Sequence, residues 1–115
     1  MHSKDVYQVF DRFTRPQKLK RAICVCPKMM LFLRINSEPL WKPNHLICAV
    51  NCDFIDHDSY VELKSLLKYS HDDLGDGKRL GRLTPPIAKG IMDAVEAAGT
   101  LSQAHKDLVR DRWGF

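Results

Sequence analysis

Glu62 and Lys64 stand two residues apart in Ser59-Tyr60-Val61-Glu62-Leu63-Lys64, a run in which apolar and polar residues alternate. In a strand this spacing places a carboxylate and an ammonium on one face with Tyr60, while Val61 and Leu63 turn to the other. Such a pair suits proton transfer beside a developing negative charge, and it equally describes an ion pair on a solvated sheet face. His45 and His57 flank an apolar segment and the connection after it, so both are placed to face one cleft as proton donors. Strand-end histidines also serve as ordinary hydrogen-bonded or solvent-facing groups. Arg34 emerges near the end of the apolar run Leu31-Phe32-Leu33-Arg34-Ile35-Asn36, facing with Phe32 and Asn36. Its planar fork either reaches a phosphate or charges a sheet edge. Trp41, followed by Lys42 in a loop bounded by Pro39 and Pro43, and Tyr60 offer aromatic faces on which single-stranded bases stack. A Trp41 folded over the core is the alternative.

Cysteines stand at 24, 26, 48 and 52, and with His45 and His57 a zinc site can be drawn. The Cys-x-Cys spacing is not that of a zinc knuckle, and the second pair carries no knuckle turn. All four sit among Ile, Val, Leu and Phe, so a place in the core is the expected role. No metal or other cofactor is assigned. In a strand, Cys24-Val25-Cys26 points both thiols to one face. Gly75-Asp76-Gly77-Lys78 lacks the strand and spacing of a phosphate loop.

The elements that must hold these residues follow from local signals. Ser3 is positioned to cap a short helix in which Val6, Phe10 and Phe13 recur at helical spacing, with Pro16 ending it. Residues 22–26 and 30–36 read as a hairpin around the Pro27-Lys28 turn. His45 to Asn51 reads as a strand buried on both faces, and Ser59 to Leu67 as the best-patterned strand. The polar stretch up to Gly77 reads as a mobile loop, and Lys78 to Leu83 as a last short strand in which Gly81 permits a close approach. Thr84 then Pro85 open an amphipathic helix with Ile87, Ile91, Ala94, Val95 and Ala98 on one stripe, stopped at Gly99. Thr100 with Gln103 suggests a capping box for a second helix. The expected whole is one α+β domain: an N-terminal basic helix and arm to residue 20, a small bent barrel over 21–83, and C-terminal helices over 84–115.

A chain of 115 residues, 44% apolar and 28% charged, has room for one globular domain. Multidomain enzymes, dinucleotide-binding folds and membrane transporters are excluded. With neither an export signal nor an apolar run of spanning length, the expected location is cytoplasmic. Charge is segregated: residues 1–34 hold eight bases and two acids, residues 35–78 four bases and eight acids, and residues 79–115 six bases and four acids. Basic ends suit phosphate neutralisation, and a mixed-sign surface also suits a charged protein partner.

The stretch from Ser59 to Leu101 resembles the C-terminal half of PemK/MazF-type toxins, the endoribonucleases of toxin–antitoxin pairs. The resemblance is carried by Ser59-Tyr60-Val61-Glu62-Leu63-Lys64, by Gly77-Lys78-Arg79-Leu80-Gly81-Arg82-Leu83-Thr84, and by the amphipathic helix to Gly99. Trp41-Lys42-Pro43-Asn44-His45 is similar to the approach to that family's second strand, and His57-Asp58-Ser59 suits the connection into the next. The family's opening Gly-x-Ile-Trp-type strand is missing. The resemblance implies an SH3-like barrel, a homodimer, an antitoxin protein as partner, and metal-independent hydrolysis of single-stranded RNA. Glu62 is then the expected base, Lys64 the phosphate stabiliser, and His45 or His57 the acid. Arg34, Trp41, Lys42 and Tyr60 are the expected RNA-binding residues. The alternative is a non-catalytic binding module of a mobile element, an inhibitor of a protein or nucleic-acid complex, on the same barrel.

Overall fold

The apolar runs around Cys24 and Leu33 pair as the expected antiparallel hairpin, β2 (Lys18–Cys26) with β3 (Leu31–Asn36). A computed structural model describes residues 1–115 around that hairpin as an α+β fold, a curled antiparallel half-barrel followed by two helices. The remaining strands are β1 (Asp5–Asp11), β4 (Asn44–Ile47), β5 (Ser59–Glu62), β6 (Leu67–Lys68) and β7 (Arg79–Arg82). Their order is β4-β5-β3-β2-β1-β7, with β6 pairing β3 alongside β5. Helices α1 (Pro85–Ala97) and α2 (Gln103–Trp113) close the chain.

There is no N-terminal helix. Residues 5–11 form β1, inside the sheet between β2 and β7, so the barrel begins at residue 5 rather than 21. Positions 6 and 10 share a face at helical spacing, but an even separation also shares a face in a strand. Val6, Tyr7, Val9 and Phe10 are β-branched or aromatic, and that composition favours the strand.

The sheet buries both faces. Val6, Ile23, Val25, Leu33, Ile35, Ile47 and Val61 pack under α1 and α2 through Ile91, Val95, Val109 and Trp113. On the reverse face Tyr7, Val9, Ala22, Cys24 and Phe32 form a smaller core covered by Tyr69 and Leu74. The expected mobile loop therefore carries a 3-10 turn, Asp72–Leu74, with buried Asp73 and Leu74. Arg12 clamps it, donating to both oxygens of Asp73 at 2.9 Å.

Three further expectations give way to tertiary structure. Cys24 and Cys26 do not share a face: the pairing slips between them, Cys24 opposing Phe32 and Cys26 opposing Leu31, and the thiols enter different cores. A bulge of one residue reverses the side-chain alternation. The strand at His45 stops at Ile47, runs along a sheet edge with Leu46 48% exposed, and gives way to a 3-10 turn at Ala49–Asn51. The run from Ser59 breaks after Glu62, where the Leu63 amide donates to the Pro43 carbonyl, and resumes as β6.

The helices follow their local signals more closely. Pro85 opens α1 and its buried stripe includes Ile91 and Val95. Ser102, not Thr100, caps α2 by accepting from the His105 amide, and Thr100 Oγ1 instead donates to the Leu63 carbonyl at 2.8 Å. Gly81 earns its place by close approach, since a Cβ there would lie 2.8 Å from Asp53 Oδ1 and 3.0 Å from Phe54 Cβ.

Candidate nucleic-acid interface

Arg34 lies on β3 in the middle of the sheet, so it charges no edge. The register places it opposite Ala22 on β2, on the same face as Glu62, Asn36 and Asp11. With its side chain 9% exposed, it donates Nη1–H to Asp11 Oδ2 at 2.6 Å. Its Nη2 donates to both oxygens of Glu62 at 3.1 and 3.2 Å. Asn36 Nδ2 reaches the same Glu62 carboxylate at 3.1 Å, and the Tyr69 hydroxyl donates to Asp11 Oδ2 at 2.8 Å. Burial works against the guanidinium charge, but Asp11 and Glu62 outweigh it and raise the Arg34 pKa above its ordinary value. Burial, reinforced by the bond to Asp11, pushes the Tyr69 hydroxyl well up. One donor, Arg34 Nε, is buried without a partner.

This arrangement changes the roles read from sequence. The Glu62 carboxylate is spent on Arg34 and Asn36 and is 2% exposed, which leaves it no access to a substrate proton. The Arg34 fork is likewise committed to protein carboxylates rather than to a phosphate. Lys64 does not pair with Glu62: its ammonium sits 4.5 Å from the centroid of the Trp41 ring, a cation–π contact. His45 is opposite Val61 in the register and thus on the other face from Glu62. Its ring lies against Gly90 of α1, and burial lowers its pKa. His57, in an exposed connection, has Nδ1 2.7 Å from Asp56 Oδ1. The structure therefore brings Glu62 to Arg34 and Lys64 to Trp41, and does not join either pair to a histidine.

What the Arg34 network does is build the floor of a cleft. Asp11 Oδ1 accepts from the Phe13 amide at 2.8 Å and sets the start of the loop after β1. Asn36 Oδ1 accepts from Lys20 Nζ at 3.2 Å and holds that amine over the floor. Phe13, Arg15, Lys18, Lys20, Leu40 and Trp41 wall a cleft of about 310 Å³ above Arg34 and Asn36. Phe13 and Trp41 remain 51% and 47% exposed. Both loops turn through a cis X-Pro bond, Arg15-Pro16 and Lys42-Pro43. Within the floor, Asp11, Glu62, Arg34 and Lys20 balance in charge, so the attraction for an anion comes from Arg15 and Lys18 at the rim, with Lys64 beyond the indole. Burial first, then Lys18 and Arg34, lowers the Lys20 pKa. Lys42 is exposed beside Trp41, and Tyr60 is half-buried on the same sheet face, opposite Asn36.

A second cleft of about 250 Å³ opens on the other side of β2, lined by Arg21, Ser37, His57 and Ser59 among others. Asp56 is held below the usual carboxylate range by its hydrogen bond with His57, with a smaller contribution from Arg21. The residues missed from sequence are therefore Asp11, Phe13, Arg15, Lys18, Lys20 and Arg21. A signal was present, since Arg12 to Ser37 carries seven bases and no acid. No three of the chain's His, Cys, Asp and Glu side chains gather as metal ligands. Burial raises the thiol pKa of Cys24 to about 12 and, less strongly, that of Cys52. No helix is long and apolar enough to cross a membrane. Compared with family models and with curated proteins, the chain matches none.

Proposed function

We propose that the chain binds single-stranded RNA, with a base against Trp41 and the adjoining phosphates on Arg15 and Lys18. The observation that carries this reading is the cleft itself: two exposed aromatic rings and the two rim cations Arg15 and Lys18 converge over a floor whose own charges are already balanced. Stacking on an aromatic face needs an unpaired base, which favours a single strand over a duplex. On this reading the half-barrel is SH3-like, and the chain is a toxin-like homodimer held in check by an antitoxin protein. A titration with a short oligoribonucleotide at increasing salt tests it. Two or three phosphate contacts correspond to a log–log slope of roughly −1.4 to −2 for a single strand. A flat salt dependence, or tighter binding to duplex RNA, would count against the reading.

A second reading is metal-independent RNA cleavage, and one observation favours it. His57, hydrogen-bonded to Asp56, shares a cleft with the Arg21 guanidinium. An imidazole with an orienting carboxylate suits removal of the 2′-hydroxyl proton, and a guanidinium suits the charge of the phosphorane. Under that reading H57A lowers chelator-resistant cleavage of a defined RNA at least about 100-fold. Equal cleavage by H57A and the unaltered chain removes it, and RNA binding alone would remain.

A further inference from the structure

The two clefts meet where the sheet comes apart. β2 pairs β1 from Ile23 down to Lys18, but it pairs β3 only from Arg21 onward, opposite Ile35. Lys18, Leu19 and Lys20 thus have no strand partner on the β3 side, and the backbone there is open. Lys18 and Lys20 line both clefts, the Trp41 cleft on one side and the Arg21 cleft on the other. Arg15, Arg21 and Arg112 are the arginines that take part in no ion pair, whereas Arg12, Arg34, Arg79, Arg82 and Arg110 all do, and of those three Arg21 alone is half-buried. Two hydroxyl groups, Ser37 and Ser59, stand in the same cleft.

We infer that the ligand is an oligonucleotide which passes from the Trp41 cleft over the open Lys18–Lys20 segment to a second phosphate subsite at Arg21. This rests on the reading of the Trp41 cleft as a base-stacking site, and it specifies the ligand as a chain rather than a mononucleotide or nucleotide cofactor. Lys18 to Arg21 is three strand steps, roughly 10 Å. A nucleotide seated on Trp41 leaves that distance uncovered, and a continuing phosphodiester backbone covers it. The unpaired strand edge adds backbone N–H groups to the side-chain cations along the path.

The test compares a uridine dinucleotide with an oligouridylate of about eight nucleotides, inside the usual range of single-strand site sizes. Calorimetric titrations of the unaltered chain, R21Q, R21K and W41A give the dissociation constants. The unaltered chain should bind the longer ligand at least about tenfold more tightly than the dinucleotide. R21Q should lose most of that advantage while its dinucleotide affinity stays put, and R21K should keep most of it, which separates lost charge from lost folding. If R21Q binds both ligands as the unaltered chain does while W41A weakens both, the second subsite is wrong and the base-stacking site stands. If the unaltered chain binds neither ligand, both fall together.

Discussion

R34M should lower the unfolding free energy by about 3–5 kcal/mol, because it removes the one guanidinium that bonds both buried carboxylates, Asp11 and Glu62, and leaves only Lys20, which bonds Asn36 and neither of them, as a floor cation. Asp11 is fully buried and Glu62 is 2% exposed, so neither carboxylate recovers its lost hydrogen bonds from water without disturbing the sheet. The loss is a large share of the 5–15 kcal/mol that holds a typical domain folded. Denaturant unfolding followed by circular dichroism measures it. R34M/E62L removes one of the stranded charges and should lose less than R34M, a coupling on the order of 1–3 kcal/mol. A midpoint for R34M within experimental error of the unaltered chain would mean that the network contributes nothing, and that Arg34 is free for another role.

W41A should have the opposite profile, with little change in stability and a large loss of RNA affinity. The ring is 47% exposed and makes a cation–π contact with the Lys64 ammonium at the surface, so removing it should shift unfolding by no more than about 0.5 kcal/mol. A stacked base contributes roughly 1–3 kcal/mol, which corresponds to about a 5- to 150-fold rise in the dissociation constant. W41F keeps an aromatic face and should retain much of the affinity. The readout is anisotropy of a labelled oligoribonucleotide, since the variant lacks the indole signal of residue 41. Unchanged affinity in W41A would move the RNA site elsewhere on the molecule.

Legibility from sequence tracked the range over which each feature is decided. Pro85 at the start of α1 and the Pro27-Lys28 turn between β2 and β3 are local, and both elements form where those residues put them. β1 carries a helical signal because Val6 and Phe10 satisfy both periodicities, and the strand's place between β2 and β7 is decided by distant partners. The slip between Cys24 and Cys26 leaves no mark along β2 itself, because a bulge depends on the facing strand. The Arg34 network joins residues 23, 28 and 58 positions apart, a connection that spacing along one strand does not reveal. Arg34 and Trp41 do line one cleft, but Arg34 builds its floor instead of offering its fork, because its partners Asp11 and Glu62 come from other strands. Neither histidine joins Glu62: the sheet register puts His45 across from Val61, and His57, in the connection before β5, lines the other cleft.

The interior position of β1 also has a consequence during synthesis. Asp5 meets Arg82 across 77 residues, and the Trp113 indole donates to the Cys24 carbonyl across 89. At roughly 5–20 residues per second, a ribosome needs about 4–15 s to deliver Arg82 after Asp5 has been made. Throughout that interval the nascent hairpins hold one raw flank, with apolar Val6 and Val9 behind it and nothing to dock there. Overexpression, which crowds many such half-made chains together, should therefore yield inclusion bodies more readily than the finished molecule's charged exterior would suggest.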